Sequence, residues 1–271
     1  MSVFELIIDF LRGGKNAGGA EKRVSGGHGR ERRVLHPVSA VCEQALSDFR
    51  GIRMLASACA DERGRDTGSM SPDSIRQESS ALISAAKKVG CFVEMKDVPG
   101  TRYTIRTGES EVRLVQKEGL YYKLKDPFAK LHLKRHSAEY VLFEHIVHNV
   151  LFPDCRLEFL GISEDYHKAR IVYRQKAVRS ESRPDDKQIA ECLSQMGLLP
   201  CGRYEFGNEL LFVTDVGQDG DNVLLDDDAA IRFIDPIIGF KSLLLPRLKD
   251  ALVSEDGIPA LINDLYRVRA V

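Results

Sequence analysis

The sequence predicts an α+β domain rich in short antiparallel strands, preceded by an irregular, partly helical extension. Three observations lead there. Composition changes near residue 75: residues 13–34 hold many glycines, arginines and lysines with almost no apolar side chains, whereas from Ile75 apolar residues recur at regular intervals. Beyond Ile75, several runs alternate with period two between turn residues, the mark of half-buried strands. Longer runs with helical spacing divide those strands into two groups.

Bulk properties narrow the class. The 271 residues are 43% apolar and 29% charged, with a net charge of −1, as in an ordinary globular protein. No run approaches the roughly 18 apolar residues of a membrane span, so no membrane partner is expected. Met1–Arg12 lacks a basic start and is interrupted by Asp9, which reads as a short amphipathic helix rather than a signal peptide. Six scattered cysteines without a C-x-x-C pair read as reduced thiols of a cytosolic protein. The near-neutral charge gives nucleic acid no support beyond the basic stretch Lys22, Arg23, Arg30, Arg32 and Arg33, which is more simply a solvated linker.

Residues 1–74 are expected to form a weakly structured extension with one or two helices, one of them over Pro37–Ala60. Ile75–Val89 predicts a helix, with Ser74 as N-cap, Gln77 completing a capping box and Gly90 as the stop. Short strands follow at Cys91–Glu94, Tyr103–Thr107 and Glu111–Gln116. Leu120–Lys125 places Leu120, Tyr122 and Leu124 on one face and Tyr121, Lys123 and Lys125 on the other. A helix over Ser137–Val150 is halted by Pro153. Arg156–Ile162 and Ala169–Val178 form a hairpin about Glu164-Asp165. Pro184 opens a helix ending at Gly197, Glu209–Thr214 is a strand, and Val223–Leu225 with Ala230–Ile234 flank the turn Asp226-Asp227-Asp228. The tail from Phe240 is mostly helical.

Asn222 and Asp235 bracket that last hairpin, so their side chains converge at its open end. Two hard oxygen donors suit Mg²⁺, which usually takes one or two protein ligands and completes its shell with phosphate and water. On spacing alone Asn222 also reads as a turn residue and Asp235 as a strand-end cap. Asp215, at the end of the preceding strand, is placed to orient or deprotonate a substrate hydroxyl, with Asp219 and Asp221 as competitors in the same loop. Lys123 follows the turn Thr107-Gly108-Glu109-Ser110 and would reach phosphate if a helix carboxylate, Glu144 or Glu139, held it. No H-E-x-x-H, G-x-S-x-G or strand-linked G-x-G-x-x-G occurs, which disfavours a zinc hydrolase, a serine hydrolase and a Rossmann site.

Residues from about Glu78 to Phe240 resemble the kinase-like domain found in polyvalent proteins of phages and conjugative elements. The resemblance is carried by Ala81–Gly90 (ALISAAKKVG), Gly108–Leu114 (GESEVRL), Tyr122–Leu124, His148–Pro153 (HNVLFP), Gly161-Ile162, Gln175–Val178 (QKAV), Asn222–Leu225 (NVLL) and Phe233–Pro236 (FIDP). It implies a reduced two-lobed protein-kinase-like fold over residues 75–271, with an antiparallel N-lobe at about 75–178 and a small C-lobe at about 179–271. It implies ATP and Mg²⁺ as cofactors and a hydroxyl phosphoacceptor, protein or small molecule. In that frame the Gly108 turn covers phosphate, Lys123 contacts it with Glu144 as ion-pair partner, and Gln175–Ala177 is the hinge that meets adenine through backbone groups. Asp215 is the catalytic aspartate, and Asn222 and Asp235 are the metal ligands. Two departures accompany it: Asn222 follows Asp215 by seven residues where kinase loops use five, and Gly217 stands where protein kinases often carry a basic residue. Both favour binding over transfer and keep a non-catalytic pseudokinase or interaction module as the alternative.

Overall fold

The computed structural model describes residues 52, 55, 72–102, 110–128, 130–131, 134–135, 138–180, 182–217, 222–253, 260–261 and 264–265. The expected features on residues 1–51, the strand Tyr103–Thr107, Gly108, Asp219 and Asp221 lie outside them. Helix α1 spans Pro72–Val89. Its start at Pro72 puts Ser74 inside the first turn, so the expected Ser74–Gln77 capping box is corrected; proline is well suited to that first position. Gly90 ends the helix at φ +76°. The following segment makes an isolated parallel bridge, Phe92 to Ile162, rather than a full strand.

Strands β1 (Thr101–Arg102), β2 (Ser110–Val115), β3 (Leu120–Lys125), β6 (Leu157–Asp165) and β7 (Lys168–Lys176) make one antiparallel sheet in the order β1-β2-β3-β7-β6. A two-strand ribbon, β4 (Lys130–Leu131) with β5 (Lys134–Arg135), precedes helix α2, Ala138–Leu151. The β6–β7 turn falls on Tyr166-His167, both at positive φ, and not on Glu164-Asp165. Helix α3, Asp186–Ser194, carries the capping box that α1 lacks: Asp185 Oδ1 accepts from Gln188 N–H while Gln188 Oε1 accepts from Asp185 N–H.

The second group of strands is a four-stranded sheet in the order β13-β10-β9-β8. It is made of β8 (Leu199–Gly202), β9 (Glu205–Gly207), β10 (Leu211–Thr214) and β13 (Ile237–Phe240). The hairpin β11 (Val223–Leu225) with β12 (Ile231–Phe233) stands apart, and α4 spans Leu244–Val253. The fold is therefore α+β, with mixed helices and antiparallel sheets. One main core runs through both halves. It includes Ile52 and Leu55, so the chain before Ile75 contributes to the packing. Among the described residues no helix is long and apolar enough to cross a membrane.

Alternation in β3 sorts its side chains. Tyr122 and Leu124 enter a satellite cluster with Val98 and Val172, while Lys123 and Lys125 face α2 and the second group of strands. Gly161 sits at the β6 bulge with φ +146°, and a Cβ there would lie 2.1 Å from the Cys91 carbonyl oxygen, which accepts from Ile162 N–H. Gly161→Ala is therefore expected to lower unfolding free energy by roughly 2–4 kcal/mol, combining backbone strain with overpacking. Gly90→Ala, with nothing within 4 Å, should lose only about 1 kcal/mol; urea denaturation of the pair checks the difference.

Candidate functional site

Helix α2 is buried from Val141 to its end at Leu151, because it is sandwiched between the five-stranded sheet and β13. Polar groups on such a helix must find partners within the fold. Glu144 Oε2 takes Lys125 Nζ at 2.8 Å, and its Oε1 accepts from Ile238 N–H at 3.2 Å. One turn earlier, Tyr140 Oη accepts from Phe240 N–H at 3.2 Å. Ile238 and Phe240 are alternate residues of edge strand β13, whose other side pairs with β10. Two residues of strand rise nearly match four of helix rise, so side chains at i and i+4 of α2 cap outward-pointing N–H groups of β13.

Between β12 and β13 lies Asp235. Its Oδ1 is 3.2 Å from Lys123 Nζ, which also donates to Ile234 O at 3.0 Å. Gln175 Nε2 donates to the same carbonyl at 3.2 Å and to Cys155 O at 2.6 Å. The hairpin register, Val223 opposite Phe233, is continued by Ile234 N–H donating to Asn222 O at 2.8 Å. Asn222 and Asp235 therefore meet at the hairpin mouth. Desolvation pushes the Asp235 carboxyl up, but Lys123 and then Lys125 outweigh it and hold it below its ordinary value. Asn222 Nδ2 donates to Asp215 Oδ2 at 2.6 Å, which joins the two across the longer loop. Asp215 has φ +60°, a left-handed conformation that aspartate tolerates better than most residues. Lys123, Lys125, Glu144, Asp215, Asn222 and Asp235 all line one open cleft.

A family model described as "Serine/Threonine/Tyrosine Kinase found in polyvalent proteins" matches residues 76–242, more than half of the chain. The chain belongs to this family. It is a kinase-like protein, and the antiparallel sheet with α2 behind it is the kinase-like α+β fold. Searches of curated proteins and of solved structures gave no match.

Within this kinase-like frame one expectation changes. The lysine held by Glu144 is Lys125, while Lys123 turns to Asp235. Both lysines share the inner face of β3, so the pattern could not choose between them; Glu144 lies closer to Lys125. Gln175 sits within the sheet opposite Tyr121 and Leu157 with its side chain committed as above, and Ala177 N–H donates to Gly119 O at 2.8 Å.

Sequence reasoning also missed Asn149. Its Oδ1 accepts from Leu157 N–H and its Nδ2 donates to Leu157 O, both at 2.8 Å, clamping the last turn of α2 to the start of β6. That fixes the amide orientation, and with it the two neighbouring imidazoles. His148 Nδ1 faces Asn149 Oδ1 at 3.4 Å and so carries the proton, whereas His145 Nε2 faces Asn149 Nδ2 at 3.4 Å and so accepts. Both rings are buried and neutral, and His145 stacks on Tyr173 with centroids 4.5 Å apart. Burial, then Lys123, lowers the His148 pKa to about 4; burial, then His148, holds His145 well below its ordinary value. Among the described residues no group of three or more His, Cys, Asp or Glu is placed to hold a metal. A cation shared with phosphate needs fewer protein ligands.

Asn149→Ala strands both backbone groups of Leu157 in the interior and should cost about 2–4 kcal/mol in urea denaturation. The histidines set a pH dependence. With folded pKa values below 6.5, the unfolded chain binds more protons between pH 6.5 and about 4. Stability is therefore full above pH 6.5 and lost as pH falls through that window, by about 3 kcal/mol for His148 alone. Unfolding free energies from pH 7 to 4.5 should show this slope, and His148→Gln should flatten it.

Proposed function

We propose that the cleft binds ATP with Mg²⁺ and that the protein transfers the γ-phosphoryl group to a hydroxyl acceptor, protein or small molecule. The observation that carries this reading is the convergence of two lysines, a buried glutamate and the Asp215–Asn222–Asp235 set on one cleft, from separate segments of the chain. The donors fit a small hard cation. Asn222 directs its Nδ2 at Asp215, so Oδ1 is the amide atom left for a cation, and Asp235 already attracts one in the form of the Lys123 ammonium. Asn222 and Asp235 would hold the Mg²⁺, which when bound would supply charge neutralisation to the phosphates.

The chain's own residues divide the remaining work. Lys125, anchored by a glutamate whose side chain is only 5% exposed, offers a positioned ammonium to phosphate. Asp215, exposed at the cleft edge, orients the acceptor hydroxyl. The kinase-like domain would run from about residue 75 to 271. The second reading, binding without transfer, rests on two features: the seven-residue interval between Asp215 and Asn222 and Gly217 where protein kinases often carry a basic residue.

A thermal-shift titration tests both. ATP with Mg²⁺ at a hundred times Kd should stabilise the wild type by about 2.7 kcal/mol. That is a rise of about 5–10 °C in Tm for a chain of this size. Asp235→Ala should lose the Mg²⁺-dependent part. Asp215→Ala should keep the shift and abolish phosphoryl transfer if the protein is an enzyme. A wild type with no Mg²⁺-dependent shift would sink the ATP–Mg²⁺ reading.

A further inference from the structure

We propose that Lys123 is the resident cation of the metal site, so that metal-free polyphosphate is the cleft's first ligand and a divalent cation reaches Asp235 only as phosphate draws the ammonium away. The proposal rests on the nucleotide–metal reading above and specifies how that site is regulated.

The two lysines of β3 are held differently. Lys125 has a carboxylate of its own: Glu144 is buried and pinned from its other oxygen by the Ile238 N–H. Lys123 has none. Its ammonium rests on the Ile234 carbonyl and on Asp235, the carboxylate at the hairpin mouth, with the lysine side chain only 11% exposed. Asp235 in contrast is 48% exposed and opens to the cleft. An added dication would therefore approach a carboxylate that an ammonium already neutralises, in a cleft partly withdrawn from water. Repulsion between the two cations is strong there. The Ile234 carbonyl, a neutral acceptor also occupied by Gln175, cannot compensate the ammonium by itself.

Polyphosphate resolves the conflict. Its oxygens give Lys123 a new set of anionic acceptors in the same cleft, which releases Asp235 and, with it, the partnership of Asn222 and Asp235 at the hairpin mouth. Each ligand then favours the other, and linkage requires the coupling to be reciprocal. Lys123 is thus not idle beside the Glu144-held lysine. It keeps the empty site charge-balanced and makes cation entry conditional on nucleotide.

The test uses the full chain and Mn²⁺, whose paramagnetism reports binding directly, without nucleotide. Lys123→Gln removes the charge while leaving a donor for the Ile234 carbonyl; Lys123→Met, the second variant, removes both. Mn²⁺ is expected to bind about tenfold or more tightly to either variant than to wild type. Adding Asp235→Asn to the variant should return affinity to the weak wild-type level. In the converse arm, ATP in EDTA should raise the melting temperature of the wild type clearly more than that of Lys123→Gln, in which Lys125 is the phosphate-facing cation that remains. Equal Mn²⁺ affinity in wild type and variants overturns the counter-ion role while leaving the metal-site reading standing. No Mn²⁺ binding by any protein, together with no ATP shift in any, overturns both.

Discussion

The carbonyl oxygen of Ile234 is the point on which the site depends. It accepts from Lys123 on β3 and from Gln175 on β7, so two strands of the first sheet grip one peptide of the second group. The N–H of the same residue closes the β11–β12 hairpin onto Asn222. With both polar groups of Ile234 fixed, the direction in which the chain delivers Asp235 is fixed as well. Gln175 extends the grip to the Cys155 carbonyl, beside the junction of α2 and β6. Hydrogen bonds of this kind contribute about 1 kcal/mol each, and more where one partner is charged. What they add beyond stability is registry between two halves that hold different parts of the site.

Helix α2 supplies the second constraint. A helix apolar on nearly every side belongs in an interior, and there each polar side chain has to be accounted for. Glu144 and Tyr140 answer to the edge of β13, and Asn149 to the start of β6. The histidines follow from Asn149, since its orientation leaves each ring a neutral tautomer. The helix that positions the cleft's glutamate is therefore also the helix that covers a strand edge, which couples the geometry of the site to the integrity of the second sheet.

Much of this was legible from residue patterns. Alternation in Leu120–Lys125 placed both lysines on the inner face, and the Asp226–Asp228 turn fixed the hairpin that brings Asn222 to Asp235. The particular pairing was not legible. Lys123 and Lys125 are equivalent by period, and only the reach of Glu144 from α2 separates them, a tertiary fact. The β8–β9 hairpin escaped because Leu199–Gly202 is exposed throughout and shows no alternation; its signal was a turn at Arg203-Tyr204, with Tyr204 at φ +57°. The side-chain role of Gln175 was not legible either: it is a paired residue of an interior strand whose side-chain amide reaches two carbonyls of other segments.

The long interval between Asp215 and Asn222 does not pull the two residues apart. Two extra residues would matter most if they separated Asp215 from Asn222, yet the side chains remain in direct contact at 2.6 Å. Val216, next to Asp215, is buried and anchors that end of the loop. Asp215 meanwhile keeps a left-handed backbone of the kind that costs about 1 kcal/mol or more and tends to persist where surrounding contacts demand it. The seven-residue interval therefore leaves the Asp215–Asn222 contact intact.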